Sequence, residues 1–77
     1  MDFMDIPQEI AEQVILDEIN IHRVLRFRFT ARLRAQRRSE AEEAECKETQ
    51  NNLEMTERKI LAYEDQLAEI RGNDGSK

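Results

Sequence analysis

Apolar residues recur at alternating three- and four-residue steps along most of the chain, which is the spacing of one face of an α-helix. Residues 53–71 form a narrow seam of the coiled-coil kind. Residues 6–33 carry a broader apolar surface, and a broad surface predicts contact with more than one neighbouring helix. Residues 34–52 are polar and charged. The whole stripe consists of Ala11, Val14, Glu18, Ile21, Leu25, Arg28, Arg32, Ala35, Ser39, Glu42, Cys46, Thr49, Leu53, Thr56, Ile60, Tyr63, Leu67 and Ile70.

Residues typical of the start and the end of a helix lie on either side of this pattern. Asp5 and Gln8 have capping-box spacing, and Pro7 suits a first helical turn. Gly72 suits the left-handed position that follows a helix. The predicted organisation is a cap segment over residues 1–5, a long amphipathic helix over residues 6–71 and a disordered tail over residues 72–77.

The predicted fold class is all-α. No glycine or proline lies between Gln8 and Arg71, which favours one unbroken helix of about 96 Å that joins a coiled coil or a helical bundle. The alternative is a helical hairpin bent within residues 36–52. Ser39 and Glu42 have capping-box spacing there, and two arginines before them suit the end of a helix.

A chain of 77 residues buries a small share of its surface and is marginally stable alone. Cys46 is the only cysteine, so no disulfide can form within the chain, and His22 is the only histidine, which argues against a zinc site. Association with another chain is the remaining source of stability. We therefore expect the protein to bind itself, another helical protein or both.

The charges fall into blocks that favour an antiparallel arrangement. Residues 1–20 hold six acidic and no basic residues, residues 21–39 hold seven arginines and no acidic residue, and residues 40–57 hold seven glutamates and one lysine. A parallel homodimer would place the arginines side by side. An antiparallel dimer or higher oligomer, in which residues pair around Ser39, sets basic against acidic blocks. A hairpin bent near Ser39 makes the same pairings within one chain.

The predicted partner interface follows the apolar ends of the stripe. It comprises Ile10, Val14, Ile21, Leu25, Phe29, Leu53, Ile60, Tyr63, Leu67 and Ile70.

The arginine-rich stretch supports a second hypothesis, in which arginines grip phosphates and interleaved phenylalanines stack on bases. The formal net charge of −5 weakens nonspecific attraction to nucleic acid, so a solvated or partner-facing surface is the preferred interpretation. The residues available for contact with nucleic acid or an acidic partner are Arg23, Arg26, Arg28, Arg32, Arg34, Arg37 and Arg38.

The leading functional hypothesis is a non-enzymatic helical protein–protein interaction module, which self-associates or serves as a small subunit or adaptor of a larger helical assembly. No catalytic set of side chains is recognisable, and we expect no cofactor, metal or small-molecule substrate. The longest apolar run is far shorter than the roughly 20 residues that a membrane span requires. We expect an intracellular protein, because one unpaired cysteine suits a reducing compartment, and the pattern does not separate cytoplasm from nucleus.

Overall fold

The computed structural model describes residues 6–72, which form two α-helices joined by a short turn. Helix α1 spans Gln8–Arg38, and helix α2 spans Glu43–Ile70. The helices pack against each other as an antiparallel hairpin with extents of 49 × 22 × 18 Å. The all-α prediction is confirmed. The preferred unbroken helix of about 96 Å is wrong, and the hairpin alternative is correct.

The turn closes by a backbone pattern that needs neither glycine nor proline. Ser39 is the last residue before the chain leaves α1. The N–H of Ala41 donates to the carbonyl of Gln36 at 2.8 Å, and the N–H of Glu40 donates to that of Arg37 at 3.2 Å. This pair of bonds is the Schellman motif, which requires one residue in the left-handed region. Glu40 occupies that position with a φ of 58°, so the lack of glycine did not prevent a break.

The signal at Ser39 marked the right place, but the predicted role was wrong. The Ser39 hydroxyl donates to the carbonyl of Gln36 at 3.1 Å, so it closes the end of α1 and does not start a second helix. Helix α2 follows Glu42, which makes no side-chain capping bond. Arg37 and Arg38 lie in the last turn of α1, as expected, where cations favour the helix dipole.

The outer ends of the hairpin agree with the sequence in part. Pro7 is the N-cap residue, directly before the first helical residue Gln8, and does not lie inside the first turn as predicted. The carbonyl of Pro7 accepts from the N–H groups of Ile10 and Ala11, each at 3.0 Å. Gly72 has a φ of 72°, the left-handed conformation predicted for it. The proposed cap residue Asp5 and the tail beyond Gly72 lie outside the described residues.

Replacing Glu40 with glycine is expected to stabilise the hairpin by about 0.5–1 kcal/mol, because a side chain in the left-handed region carries a steric cost that glycine avoids. The matched control is Glu40→Ala, which removes the same carboxylate and keeps a Cβ. Thermal unfolding followed by circular dichroism measures the difference. A glycine variant no more stable than the alanine variant would show that the turn is unstrained.

The core lies between the two helices, at the end of the hairpin away from the turn. Ile15, Ile19 and Leu67 form the buried cluster, and Ile19 is only 2% exposed. Leu16, Tyr63 and Ile70 are partly buried against this cluster. The largest buried apolar cluster therefore lies at the open end of the hairpin, where its burial contributes to stability.

Nearer the turn, the interface between the helices is more polar. Leu33 is buried there, together with Thr49 and Thr56. The hydroxyl of Thr49 donates to the carbonyl of Glu45 at 3.3 Å, and that of Thr56 donates to the carbonyl of Asn52 at 2.8 Å. Each hydroxyl is thus satisfied within α2, so the threonines fill space between the helices without a cross-helix bond.

The predicted seam holds along α2 but only partly along α1. Every stripe position of α2 is buried or half-buried: Cys46, Thr49, Leu53, Thr56, Ile60, Tyr63, Leu67 and Ile70. On α1 the stripe positions Val14 and Ile21 are exposed, whereas Ile15 and Ile19 face the core. The prediction assumed that a single three- and four-residue repeat continues through the whole chain. The turn over residues 39–42 interrupts that repeat, so the apolar row of α1 that packs against α2 is not the one predicted.

The two helices are also aligned differently from the predicted pairing. Arg23 lies 3.8 Å from Glu64, whereas pairing around Ser39 would place Met55 there. At the open end, Arg71 lies 3.5 Å from Glu12. Among residues 6–72, no ion pair joins the arginine block to the acidic block of residues 40–57. The two blocks do lie beside each other near the turn, where Arg37 donates to the side-chain oxygen of Gln50 at 3.3 Å. The predicted placement is therefore made in part, without ion pairs.

Candidate interaction surface

Helix α1 carries a second row of residues that the hairpin does not cover. The row follows alternating four- and three-residue steps, the spacing of a coiled-coil seam, and every member is exposed. Its large aliphatic members, Ile10, Val14, Ile21 and Val24, are each more than half exposed, with exposed fractions of 51–59%. We call this row the outer seam: Ile10, Val14, Asp17, Ile21, Val24, Arg28, Ala31 and Ala35.

The outer seam is long enough to hold a neighbouring helix. From Ile10 to Ala35 it extends about 38 Å along α1 at 1.5 Å per residue. Phe27 lies beside it and is 74% exposed. An open hollow of about 320 Å³ continues the surface towards the turn and is lined by Phe27, Thr30, Ala31, Arg34, Ala35 and Arg38. Contiguous apolar surface of this kind is typical of interaction sites.

The residues of the predicted partner interface fall into two groups, those that pack inside the hairpin and those that are exposed. Ile60 and Leu67 are buried inside the hairpin, and five others are half-buried there: Leu25, Phe29, Leu53, Tyr63 and Ile70. Only Ile10, Val14 and Ile21 are exposed, and all three belong to the outer seam. The predicted list omitted Val24 and Phe27, which fall within the broader apolar surface predicted for residues 6–33.

All seven arginines of the predicted contact surface are exposed. Arg23 pairs with Glu64 at 3.8 Å, and Arg37 donates to the side-chain oxygen of Gln50 at 3.3 Å. The remaining five have no carboxylate of residues 6–72 within 4 Å: Arg26, Arg28, Arg32, Arg34 and Arg38. The hairpin therefore presents a basic, largely unpaired surface near its turn, which an acidic partner or a phosphate backbone fits electrostatically.

Arg32 has a neighbour of another kind. Its guanidinium carbon lies 5.4 Å from the centre of the Phe29 ring, within the range of a cation–π contact. Phe29 itself is half-buried, and Arg32 is exposed.

The residues that most often carry chemistry have packing roles in this hairpin. The Nδ1 atom of His22 lies 2.8 Å from the carbonyl of Glu18, and its ring is tilted against Tyr63 with centroids 5.3 Å apart. Cys46 is half-buried on the inner face of α2. Within residues 6–72, no group of three His, Cys, Asp or Glu side chains is placed to hold a metal ion.

The concave surfaces near the turn are open to solvent. One of them is a groove of about 490 Å³ whose lining residues come mainly from α2: Arg37, Glu43, Cys46, Lys47, Gln50, Asn51 and Glu54. An open groove excludes little water from a small ligand. In the part of the chain that the structure describes, neither helix has a stretch long and apolar enough to cross a membrane.

Comparisons with protein-family models, with curated proteins and with solved structures find no match to this chain.

Proposed function

We propose that the protein is a non-enzymatic helical interaction module, which self-associates or joins a larger helical assembly through the outer seam of α1. One observation carries the proposal. Four large aliphatic side chains lie more than half exposed at coiled-coil spacing, on a helix whose opposite face already packs against α2. Two apolar faces on one helix fit two helical neighbours, and the hairpin supplies only one of them.

Burial of the outer seam would supply a substantial favourable contribution to association. Full burial of a valine or isoleucine side chain contributes roughly 1.5–3 kcal/mol, and the outer seam offers about half of that burial at each of four positions. The loss of translational freedom on association opposes this favourable free energy. Because one residue contributes too little to offset that cost, we expect contact along the whole row. We further propose that the protein acts inside the cell, where its single thiol remains reduced.

Replacing Ile21 with glutamate is expected to abolish association, because it places a charge in the middle of the outer seam. The matched control is Leu61→Glu, since Leu61 is a similarly exposed aliphatic residue, at 62%, on α2. Light scattering measures the mass of the wild-type protein and both variants, and circular dichroism checks that all remain helical. Equal masses for the two variants would count against the outer seam as the interface.

The exposed arginines favour nucleic-acid binding as the second candidate function, because five of them have no carboxylate of residues 6–72 nearby. Salt separates the two candidates. Affinity for DNA or RNA through phosphate contacts falls steeply as salt rises, whereas association through aliphatic side chains does not.

A further inference from the structure

The outer seam is complementary to itself when it is read in the opposite direction. Placed antiparallel on a second copy, Ile10 faces Ala35, Val14 faces Ala31, Asp17 faces Arg28 and Ile21 faces Val24, and each pairing occurs twice. We propose that the partner of the outer seam is a second copy of this chain, bound antiparallel about a two-fold axis near residues 22 and 23. This inference rests on the proposed function, and it names the occupant and its orientation.

Charge decides the orientation of this pairing. Asp17 and Arg28 are the only charged members of the outer seam, and both are exposed. The carboxylate of Asp17 accepts a hydrogen bond from Gln13 of its own helix at 2.9 Å, and Arg28 has no carboxylate of residues 6–72 within 4 Å. In the antiparallel pair each aspartate meets an arginine of the second copy. In a parallel pair aspartate would meet aspartate and arginine would meet arginine, and like charges in a seam are unfavourable.

Side-chain size supports the same arrangement. The large residues Ile10 and Val14 lie in the first half of the outer seam, and the small residues Ala31 and Ala35 lie in the second half. Antiparallel pairing sets Ile10 against Ala35 and Val14 against Ala31, so each end of the outer seam matches a large residue with a small one. A parallel pair would set large against large at one end and alanine against alanine at the other, which leaves a gap that costs contact energy.

The rest of the hairpin offers no comparable row to compete for this surface. On α2 the large exposed apolar residues are Met55 and Leu61, which lie on different sides of that helix. The outer surface of α2 therefore carries isolated apolar residues. The assembly that follows has four helices, with the two copies of α1 in contact and each α2 on the outside.

Cross-linking tests the orientation directly. Two single-cysteine chains, Val14→Cys and Ala31→Cys, are prepared with Cys46→Ser in both, and one of them carries a mass tag. The mixture is then oxidised under native conditions. The antiparallel pair predicts that the mixed 14-to-31 product exceeds either same-site product by at least tenfold. Predominant 14-to-14 and 31-to-31 products would overturn the antiparallel pair in favour of a parallel one.

Charge reversal tests the contact between Asp17 and Arg28. The single variants Asp17→Arg and Arg28→Asp are each expected to raise the dissociation constant at least tenfold, as measured by sedimentation equilibrium. The double variant is expected to return it to within about threefold of the wild-type value, because the pair is restored with its charges exchanged. Failure of the double variant to recover, with helicity unchanged by circular dichroism, would overturn the pairing.

The outcomes separate this inference from the proposed function. An oligomer that Ile21→Glu dissociates, but that gives only same-site cross-links, retains the interaction module and removes the antiparallel arrangement. A wild-type chain that is monomeric at every concentration tested overturns the second copy as the occupant. An oligomer that tolerates Ile21→Glu as well as Leu61→Glu removes the outer seam as the interface, and both proposals fail together.

Discussion

Replacement of Ile19 by aspartate is expected to unfold the hairpin. Ile19 is the most buried residue of the core cluster, at 2% exposed, and it packs with Ile15 and Leu67. Loss of the aliphatic side chain alone costs about 2–5 kcal/mol, and burial of an unpaired carboxylate adds to that cost. A domain of this size has a total stability of roughly 4–11 kcal/mol. Far-UV circular dichroism should therefore show the loss of most of the helix.

The control is the same substitution two residues further along the same helix. Ile21→Asp changes an identical side chain that is 51% exposed and belongs to the outer seam. We expect it to remain helical and to lower the free energy of unfolding of the monomer by less than about 1 kcal/mol. If both variants unfold, α1 has no free outer face. If both remain folded, Ile19 is not part of the core.

Distance measurement between the ends of the chain should separate the hairpin from a long helix by tens of ångströms. Spin labels attached at Gln13 and Glu69, in a Cys46→Ser background, occupy two exposed positions near the open end. In the hairpin, with helix axes about 8–10 Å apart, we expect a label separation of about 20–30 Å. In one continuous helix the same positions would be about 84 Å apart. Double electron–electron resonance measures this distance.

Dilution with unlabelled chain is the essential control. Two continuous helices paired antiparallel would bring the same labels together between chains, because the same apolar ends would meet. An excess of unlabelled protein removes a signal between chains and leaves a signal within one chain unchanged. A short distance that disappears on dilution would contradict the hairpin. A short distance that persists would confirm it.

Local pattern was sufficient to predict several features of this fold. The seam of α2 was predicted residue by residue, because its stripe from Cys46 to Ile70 has one apolar or small side chain per step and few competitors. The position of the turn was indicated by Ser39 and the arginines before it. The break itself was not the preferred prediction, because Glu40 adopts the left-handed conformation that usually requires glycine.

The candidate site was only partly predictable, because α1 carries two apolar rows at helical spacing. The row with Ile15 and Ile19 and the row with Val14 and Ile21 both satisfy the pattern. The repeat that fits α2, continued into α1 with the same spacing, falls on the row with Val14 and Ile21. The predicted interface therefore contains both exposed residues of the outer seam and buried residues of the core.

By itself, the sequence determined that most of residues 6–71 are helical and that the charges are divided into blocks. Only the tertiary structure decided which apolar row of α1 packs against α2, how the helices align and which row remains exposed. The physical reason is the separation along the sequence of the residues that interact. Helical periodicity is set by residues three and four apart, whereas rotation and alignment depend on packing between residues as distant as Ile15 and Leu67.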